Sequence, residues 1–260
     1  MLPMASGRVA VDDLGVEVDV PRPVQRVVSL VPSLTESIAE TRPGALVGAT
    51  DWCTFPADLE VTRIRGTKNP DTSAVIALRP DLVIANEEEN RELDVRRLRA
   101  AGIAVWVTRI RSVDEALASI ERMFVDGLGW DVPDWLGAAA RTWIAPAPPD
   151  GPRVAVVIWR DPWMVVGGRT FTGDLVSRLG CVHAFAGDGD RYPTVGVDDL
   201  DAMGLDLVLL PDEPYAFTPT DGPEAFTRTP TRLVSGRLLT WYGPSLVSAR
   251  QELAASILSR

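Results

Sequence analysis

Along this chain, short runs of β-branched apolar residues alternate with stretches whose apolar positions recur every three or four residues. "RVAVDDLGVEVDV" (8–20) alternates apolar and polar residues about Gly15 and predicts a hairpin. "RVVSLVP" (26–32) reads as a buried strand. Ser33, with Glu36 three residues on, matches a capping box, so a helix is expected to start there. "ALVGAT" follows as a strand, "DWCTFP" as a loop, "SAVIAL" as a short helix and "DLVIA" as a strand. "ENRELDVRRLRAAG" predicts a helix closed by Gly102, and "IAVWVT" the next strand. Ser112 and Glu115 frame a second capping box opening "SVDEALASIERMF". Alternating strands and helices predict an α/β fold with a mainly parallel sheet.

Residues 131–152 differ in character. "DVPDWLGAAARTWIA" predicts one helix of about 14 residues, roughly 20 Å long at 1.5 Å per residue. "PAPPDGP" then interrupts the chain, as a joint between lobes would. Beyond it the pattern resumes: "RVAVVIW" as a strand, "TGDLVSRLG" and "DDLDAM" as helices, "DLVLL" and "RLLTW" as strands, and "PSLVSARQELAASIL" as a closing helix. The expected division is an N-terminal α/β lobe over 1–130, a connector over 131–152 and a C-terminal α/β lobe over 153–260.

The halves resemble each other. "ALRPDLVIANEE" (77–88) aligns with "AMGLDLVLLPDE" (202–213), and each follows an "RV-V" strand. The spacing is 55 residues from Arg26 to Asp81 and 53 from Arg153 to Asp206. Repeated element order suggests two similar Rossmann-like lobes. Ligands of open α/β sheets sit beyond the carboxyl ends of the strands. That places Glu87, Glu88 and Asn90 at one mouth and Asp212 and Glu213 at the other, although an acidic tip can equally be a solvated loop. Aromatics gather in the same loops: Trp52, Trp159, Trp163, Tyr192, Tyr215, Trp241 and Tyr242. As a set they suit a large, flat, partly polar small molecule, while any one of them can be loop packing.

Composition narrows the partners. A formal net charge of −10 disfavours nucleic acid and anionic membrane, which need a basic face. No apolar run approaches the ~20 residues that span a bilayer. The start "MLPMASGRVAVDDLG" has neither a basic segment with an apolar core nor a lipoprotein cysteine. The expected compartment is cytoplasmic as the chain stands, or periplasmic or otherwise extracytoplasmic if a leader has been trimmed. Two cysteines, Cys53 and Cys181, make no disulfide framework, though one bridge is open to them. One histidine, His183, argues against an all-protein transition-metal site.

"RVVSLVPSLTE", "LVGATDWCTFP", "GTKNPDTSAVIALRPDLVIANEEEN" and "LRAAGIAVWV" resemble the N-terminal lobe of the cobalamin-binding, class III substrate-binding proteins. These are also described as helical backbone metal receptors. "TFTGDLVSRLG", "YPTVGVDDLDAM" and "LTWYGPS" resemble the C-terminal lobe of the same family. The resemblance implies two α/β lobes joined by a backbone helix, with a corrinoid such as cobalamin held non-covalently in the cleft between them. It implies contacts from Asp51 and Trp52 on one lobe, and from Trp163, Tyr192, Trp241 and Tyr242 on the other. Cobalt arrives inside its corrin, so no cofactor of the protein's own, no metal ligands and no catalytic residues are implied. Transport members dock on a membrane permease through one glutamate per lobe. Here those positions hold Ser73 and Asp198, so permease docking loses one charge and intracellular sequestration competes with uptake. A monomer is expected.

Two alternatives stand beside this. The same fold can take haem, with Tyr192, Tyr242 or His183 as axial ligand, or a ferric siderophore, with Arg160, Arg169 and Arg191 nearby. Alternatively, Cys53 and His183 form a nucleophile–base pair of an enzyme.

Overall fold

The computed structural model describes residues 7–21 and 23–258. Residues 1–6, where the leader reading begins, lie outside the described residues. The chain forms two compact units: unit 1 comprises 1–110, 115–137 and 242–244, and unit 2 comprises 111–114, 138–241 and 245–260.

Unit 1 opens with the expected hairpin, β1 (Arg8–Val11) and β2 (Glu17–Val20), antiparallel and turned at Gly15, whose φ is +78°. Its turn carboxylates do more than close the loop. Asp12 accepts from the backbone N–H groups of Leu14 and Val16 and pairs with Arg99 at 2.8 Å. Asp13 takes the Arg109 N–H and the Arg122 guanidinium, so the hairpin is fastened to the rest of the unit. The chain continues through β3 (Val27–Ser29), α1 (Pro32–Thr41), β4 (Leu46–Ala49), β5 (Thr62–Arg63), β6 (Arg65–Gly66), β7 (Asn69–Pro70), α2 (Thr72–Ala77), β8 (Leu82–Asn86), α3 (Glu92–Ala100), β9 (Val105–Thr108) and α4 (Val113–Arg122). The main sheet has the order β5-β4-β3-β8-β9 and every pair in it is parallel. β8 is buried along its whole length, as a strand covered on both faces should be.

The N-cap of α1 is Val31, two residues ahead of the Ser33 that the capping box predicts. Pro32 occupies the first helical turn, where its fixed φ and missing N–H are tolerated, and Val31 precedes it. Ser33 is therefore inside the helix and makes no cap. After α4 the chain widens into one π-helical stretch over Met123–Leu128, ending on left-handed Gly129. A Cβ on Gly127 would stand 3.1 Å from the Trp106 ring, so the bulge and this glycine together make room for a fully buried indole.

α5 (Asp134–Thr142) has nine residues rather than about fourteen. Pro133 fixes its start, and Trp143 leaves the helix to bury its ring. Buried indoles flank it: Trp130, donating to the Val24 carbonyl under Arg42, and Trp143, donating to the Leu246 carbonyl under Arg250.

Unit 2 contains β10 (Arg153–Trp159), β11 (Met164–Val165), α6 (Phe171–Arg178), β12 (Val182–His183), α7 (Val197–Asp201), β13 (Leu207–Pro211), β14 (Thr231–Val234), α8 (Gly236–Thr240) and α9 (Leu246–Ile257). Its sheet runs β11-β10-β13-β14, with β12 also on β10. The segment "RLLTW" is helix α8, not the last strand. Ser235 caps it by accepting from the Leu238 N–H, and β14 takes the place beside β13. Asp201, at the end of α7, accepts from the N–H groups of Thr227, Arg228 and Thr229. These bonds hold its carboxyl well below the usual range against the opposing effect of burial.

The repeat in the sequence is a repeated clamp in the structure. In unit 1, Asp81 accepts from the N–H groups of Gln25 and Arg26, while the Arg26 side chain donates to the Leu78 carbonyl at 2.7 Å. In unit 2, Asp206 accepts from the N–H of Arg153, and Arg153 donates to the Met203 carbonyl at 2.8 Å. In each case an arginine entering the first strand covers the open carbonyls of the short helix before the second strand. The next residue of each turn is left-handed: Arg79 at φ +46° and Gly204 at φ +67°.

Candidate functional site

In unit 1 the chain lays β3, β4 and β5 to one side and β8 and β9 to the other. The order reverses between β3 and β8, the place where open α/β sheets leave a crevice at their carboxyl ends. The acidic tip 87–89 stands there, bracketed by two asparagines. The Asn86 side chain accepts from the N–H of Glu88 and donates to Thr108. Asn90 is buried: its Oδ1 accepts from Asn86 N–H at 2.8 Å, and its Nδ2 donates to the carbonyls of Leu30 and Thr67. Asn90 is thus the anchor of the tip. The bracketing amides account for an apolar strand ending abruptly in three glutamates, since they satisfy the backbone that the turn would otherwise strand.

Glu87 is exposed. Glu89 accepts from the phenol of Tyr242 at 2.8 Å, and burial together with that carboxylate pushes the phenol well above its usual pKa. Lys68 donates to the Glu88 carbonyl from the turn between β6 and β7. The same turn carries Thr67, held by Asn90, and the Arg65 carbonyl, which accepts from Asp51 N–H. The tip, this turn and the Asp51–Trp52 loop therefore form one continuous rim.

Trp52 is 65% exposed yet stands on a rigid base. Arg63 donates to the carbonyls of Thr50, Cys53 and Leu59. The Cys53 thiol is buried among the hydroxyls of Thr35 and Thr50, at 3.0 and 3.2 Å. Burial raises its pKa, which keeps it a neutral thiol rather than a nucleophile. Cys181 is pushed up to about 11, also by burial, and both cysteines are free. His183 is buried with Nε2 2.9 Å from the Val166 carbonyl, and burial lowers its pKa. Each half of the nucleophile–base pair is thus occupied by neighbours in its own unit, and His183 is a packed imidazole rather than a surface metal ligand.

In unit 2 the order reverses between β10 and β13. An aromatic ladder runs inward from this point. Trp159, 43% exposed, meets Tyr215 edge-on at 5.6 Å. Tyr215 meets Phe217 at 4.7 Å, Phe217 stacks on Trp163 at 6.1 Å, and Trp163 meets Phe226 at 5.7 Å. Only the outer rungs reach the surface; Trp163 is 9% exposed and belongs to the core. Tyr192, half-buried, lies on a loop whose Pro193 and Val195 pair with Val165 and Trp163. Gly167 lets that loop close in, since a Cβ there would stand 2.1 Å from the Asp190 carbonyl.

Arg160, at the end of β10, lies over the Trp163 ring at 5.2 Å and is paired with both Asp221 and Glu224. Tyr215 donates to Asp221 at 2.7 Å. Arg160, a candidate cation for an anionic ligand on the sequence alone, has its charge taken by two carboxylates more than sixty residues along the chain.

Trp241 is buried and donates to Glu213. The other Glu213 oxygen, Oε1, has no hydrogen-bond partner among the described residues. Burial, followed by the neighbouring Asp212, raises this carboxyl from 4.5 to about 7. A raised pKa means the fold binds this proton more tightly than the unfolded chain. The contribution is complete below about 4.5 and is lost as pH rises through about 7. Glu213→Gln is expected to raise the melting temperature at pH 8 and leave it nearly unchanged at pH 4. Equal shifts at both values would assign the effect to packing.

Ser73 and Asp198 occupy the second positions of α2 and α7, and both are exposed. Among the described residues no helix is long and apolar enough to cross a membrane.

No family model matches the chain. It is 26% identical to YvrC of Bacillus subtilis, an ABC transporter substrate-binding lipoprotein, with 96% of this chain and 85% of that relative covered. It is 28% identical over 105 residues to a vitamin B12-binding protein of Vibrio cholerae, a match spanning 40% of this chain and only 38% of that relative's length. Among solved structures, the periplasmic vitamin B12 binding protein BtuF of Vibrio cholerae superposes with TM-score 0.70 at 17% identity, covering 90% of this chain and 97% of that one. The apo periplasmic heme-binding protein RhuT of Roseiflexus sp. RS-1 superposes with TM-score 0.76 at 20% identity, covering 90% and 98%. Relatives and neighbours alike are named as binding proteins, whereas their named ligands include vitamin B12, haem and iron. Parallel sheets with helical crossovers in both units, together with these neighbours, give the chain the fold of the class III periplasmic substrate-binding proteins, the fold its motifs predicted.

Proposed function

We propose that this protein binds a corrinoid, cobalamin or a close relative of it, without catalysis, at the loops beyond the carboxyl ends of its two sheets. The observation that carries the reading is an exposed indole at the strand ends of each unit, Trp52 and Trp159, each with carboxylates in the loops of its own unit. Exposed aromatic faces suit the edge and face of a macrocycle, and carboxylates suit the N–H groups of its peripheral amides. Asp51, Trp52 and Glu87 are the candidate contacts of unit 1, and Trp159, Tyr192 and Tyr215 are those of unit 2. Trp163, Trp241, Tyr242 and Asn90 would act from behind, holding those loops in place. The two relatives named for vitamin B12 and for an ABC transporter point the same way, and a permease would dock on Asp198, with Ser73 supplying no charge.

Calorimetric titration with cyanocobalamin and dicyanocobinamide tests this, with corrin absorbance followed through gel filtration. One-to-one binding at micromolar affinity or better is expected. Trp52→Ala should weaken it about tenfold, near 1.4 kcal/mol, at unchanged melting temperature. Absence of heat and of co-elution with both corrinoids would remove the reading.

Haem is the second reading, favoured by neighbours named for it. Tyr192, half-buried on the loop beside β11, is its axial candidate. Haemin in the same titration, with a Soret shift abolished by Tyr192→Phe, would select it.

A further inference from the structure

We infer that Asp221 and Glu224, by caging Arg160, make this site selective for a chelate with a neutral or cationic periphery and against one bearing carboxylates. The inference deepens the proposed function and rests on unit 2 presenting the outer end of its aromatic ladder to the ligand.

The cage is built into the strand-end loops. Arg160 follows directly from β10 and is held over the Trp163 ring, which fixes the plane of its guanidinium. Asp221 is fixed by the Tyr215 phenol, itself a rung of the ladder. Glu224 accepts from the N–H of Gly222 at 2.6 Å and from Arg160. Both carboxylates are therefore placed by the fold rather than swept in by a mobile side chain. Asp161, 86% exposed at its side chain, stands 3.9 Å from the same guanidinium. One cation is thus surrounded by three anions.

A guanidinium is the side chain best shaped to take a carboxylate as two parallel hydrogen bonds. Here both carboxylates meet the guanidinium at Nη1, and with Asp161 near Nε the negative charge around it exceeds its own. An incoming carboxylate must either displace Asp221 or Glu224 from Arg160 or settle beside them as a like charge. A peripheral amide carries no net charge and meets no such repulsion, and its N–H is attracted to the surplus negative charge. Selectivity of this kind comes from a repulsive element as much as an attractive one.

Two chelates that share one ring and one metal isolate the charge: dicyanocobinamide, whose periphery is amides, and dicyanocobyrinic acid, whose periphery is carboxylates. The ratio of their dissociation constants is measured for the wild type, for Asp221→Asn/Glu224→Gln, and for that double variant with Arg160→Met added. Wild type is expected to favour the amide chelate by about a hundredfold. The double variant should narrow that ratio by about tenfold, the triple variant should widen it again, and the narrowing should fade near 0.5 M salt as screening sets in. Should the double variant fold poorly by circular dichroism, Glu224→Gln alone serves, with a narrowing of about threefold.

An unchanged ratio in the folded double variant overturns the cage and leaves the corrinoid reading standing. Equal binding of both chelates by wild type also overturns it. If wild type binds neither corrinoid but the double variant gains haemin, a dicarboxylate, the corrinoid reading falls and the cage stands. If no variant binds any of the three, both fall.

Discussion

Replacing Trp163 by alanine is expected to destabilise unit 2 by about 3–5 kcal/mol, the range for truncating a large aromatic in a core. Its ring stacks on Phe217, meets Phe226 edge-on and lies beneath Arg160, within a cluster that also includes Val157, Val165 and Leu210. Truncation would open a cavity among these side chains, and a wall built on two phenylalanines and a β-strand has little freedom to close it. Urea unfolding followed by far-ultraviolet circular dichroism should show the transition midpoint falling. Trp159→Ala, only a few residues away, should shift stability by less than Trp163→Ala does, because its residue is 43% exposed against 9% and truncations nearer the surface are milder. The order of effects on ligand affinity should be the reverse once both variants are compared below their transitions. A stability loss under about 1 kcal/mol for Trp163→Ala would return that residue to the surface of the site.

Asn90→Ala is expected to cost about 2–4 kcal/mol, since a buried partner left unmade costs about 1–3 kcal/mol per group. The substitution strands the N–H of Asn86 and the carbonyls of Leu30 and Thr67. It should also loosen the acidic tip and the turn carrying Thr67 together, because one amide binds both. Hydrogen exchange would report this as faster exchange at residues 86–90 and 65–70, with α3 and β9 protected as before. Exchange confined to the tip would show that the turn is held by something else.

Asn90 and Trp163 differ in how far the sequence reveals them. Asn90 stands in "NEEEN", where paired asparagines announce a turn but not that the second one turns inward. Trp159 and Trp163 lie in one loop, "IWRDPW", and local pattern cannot rank their burial. That ranking comes from Phe217 and Phe226, which are remote in sequence and cover Trp163, one stacked and one edge-on. The same holds for Arg160, an open cation in the sequence and a caged one in the fold.

By itself the sequence determined what short-range physics encodes. Apolar periodicity set the order of strands and helices, and glycine after α3 marked the helix end. The paired Arg26–Asp81 and Arg153–Asp206 spacings announced a repeat, because each pair joins the start of one strand to the turn before the next. Tertiary structure decided what depends on partners far along the chain. Ser235, not apolar content, made 236–240 a helix, and Pro32 began α1 ahead of its capping box. Which aromatics meet solvent, which carboxylates neutralise which arginine, and that Cys53 and His183 are packing groups all turned on contacts between distant segments. Burial and charge neutralisation are properties of a neighbourhood, and the fold creates the neighbourhood.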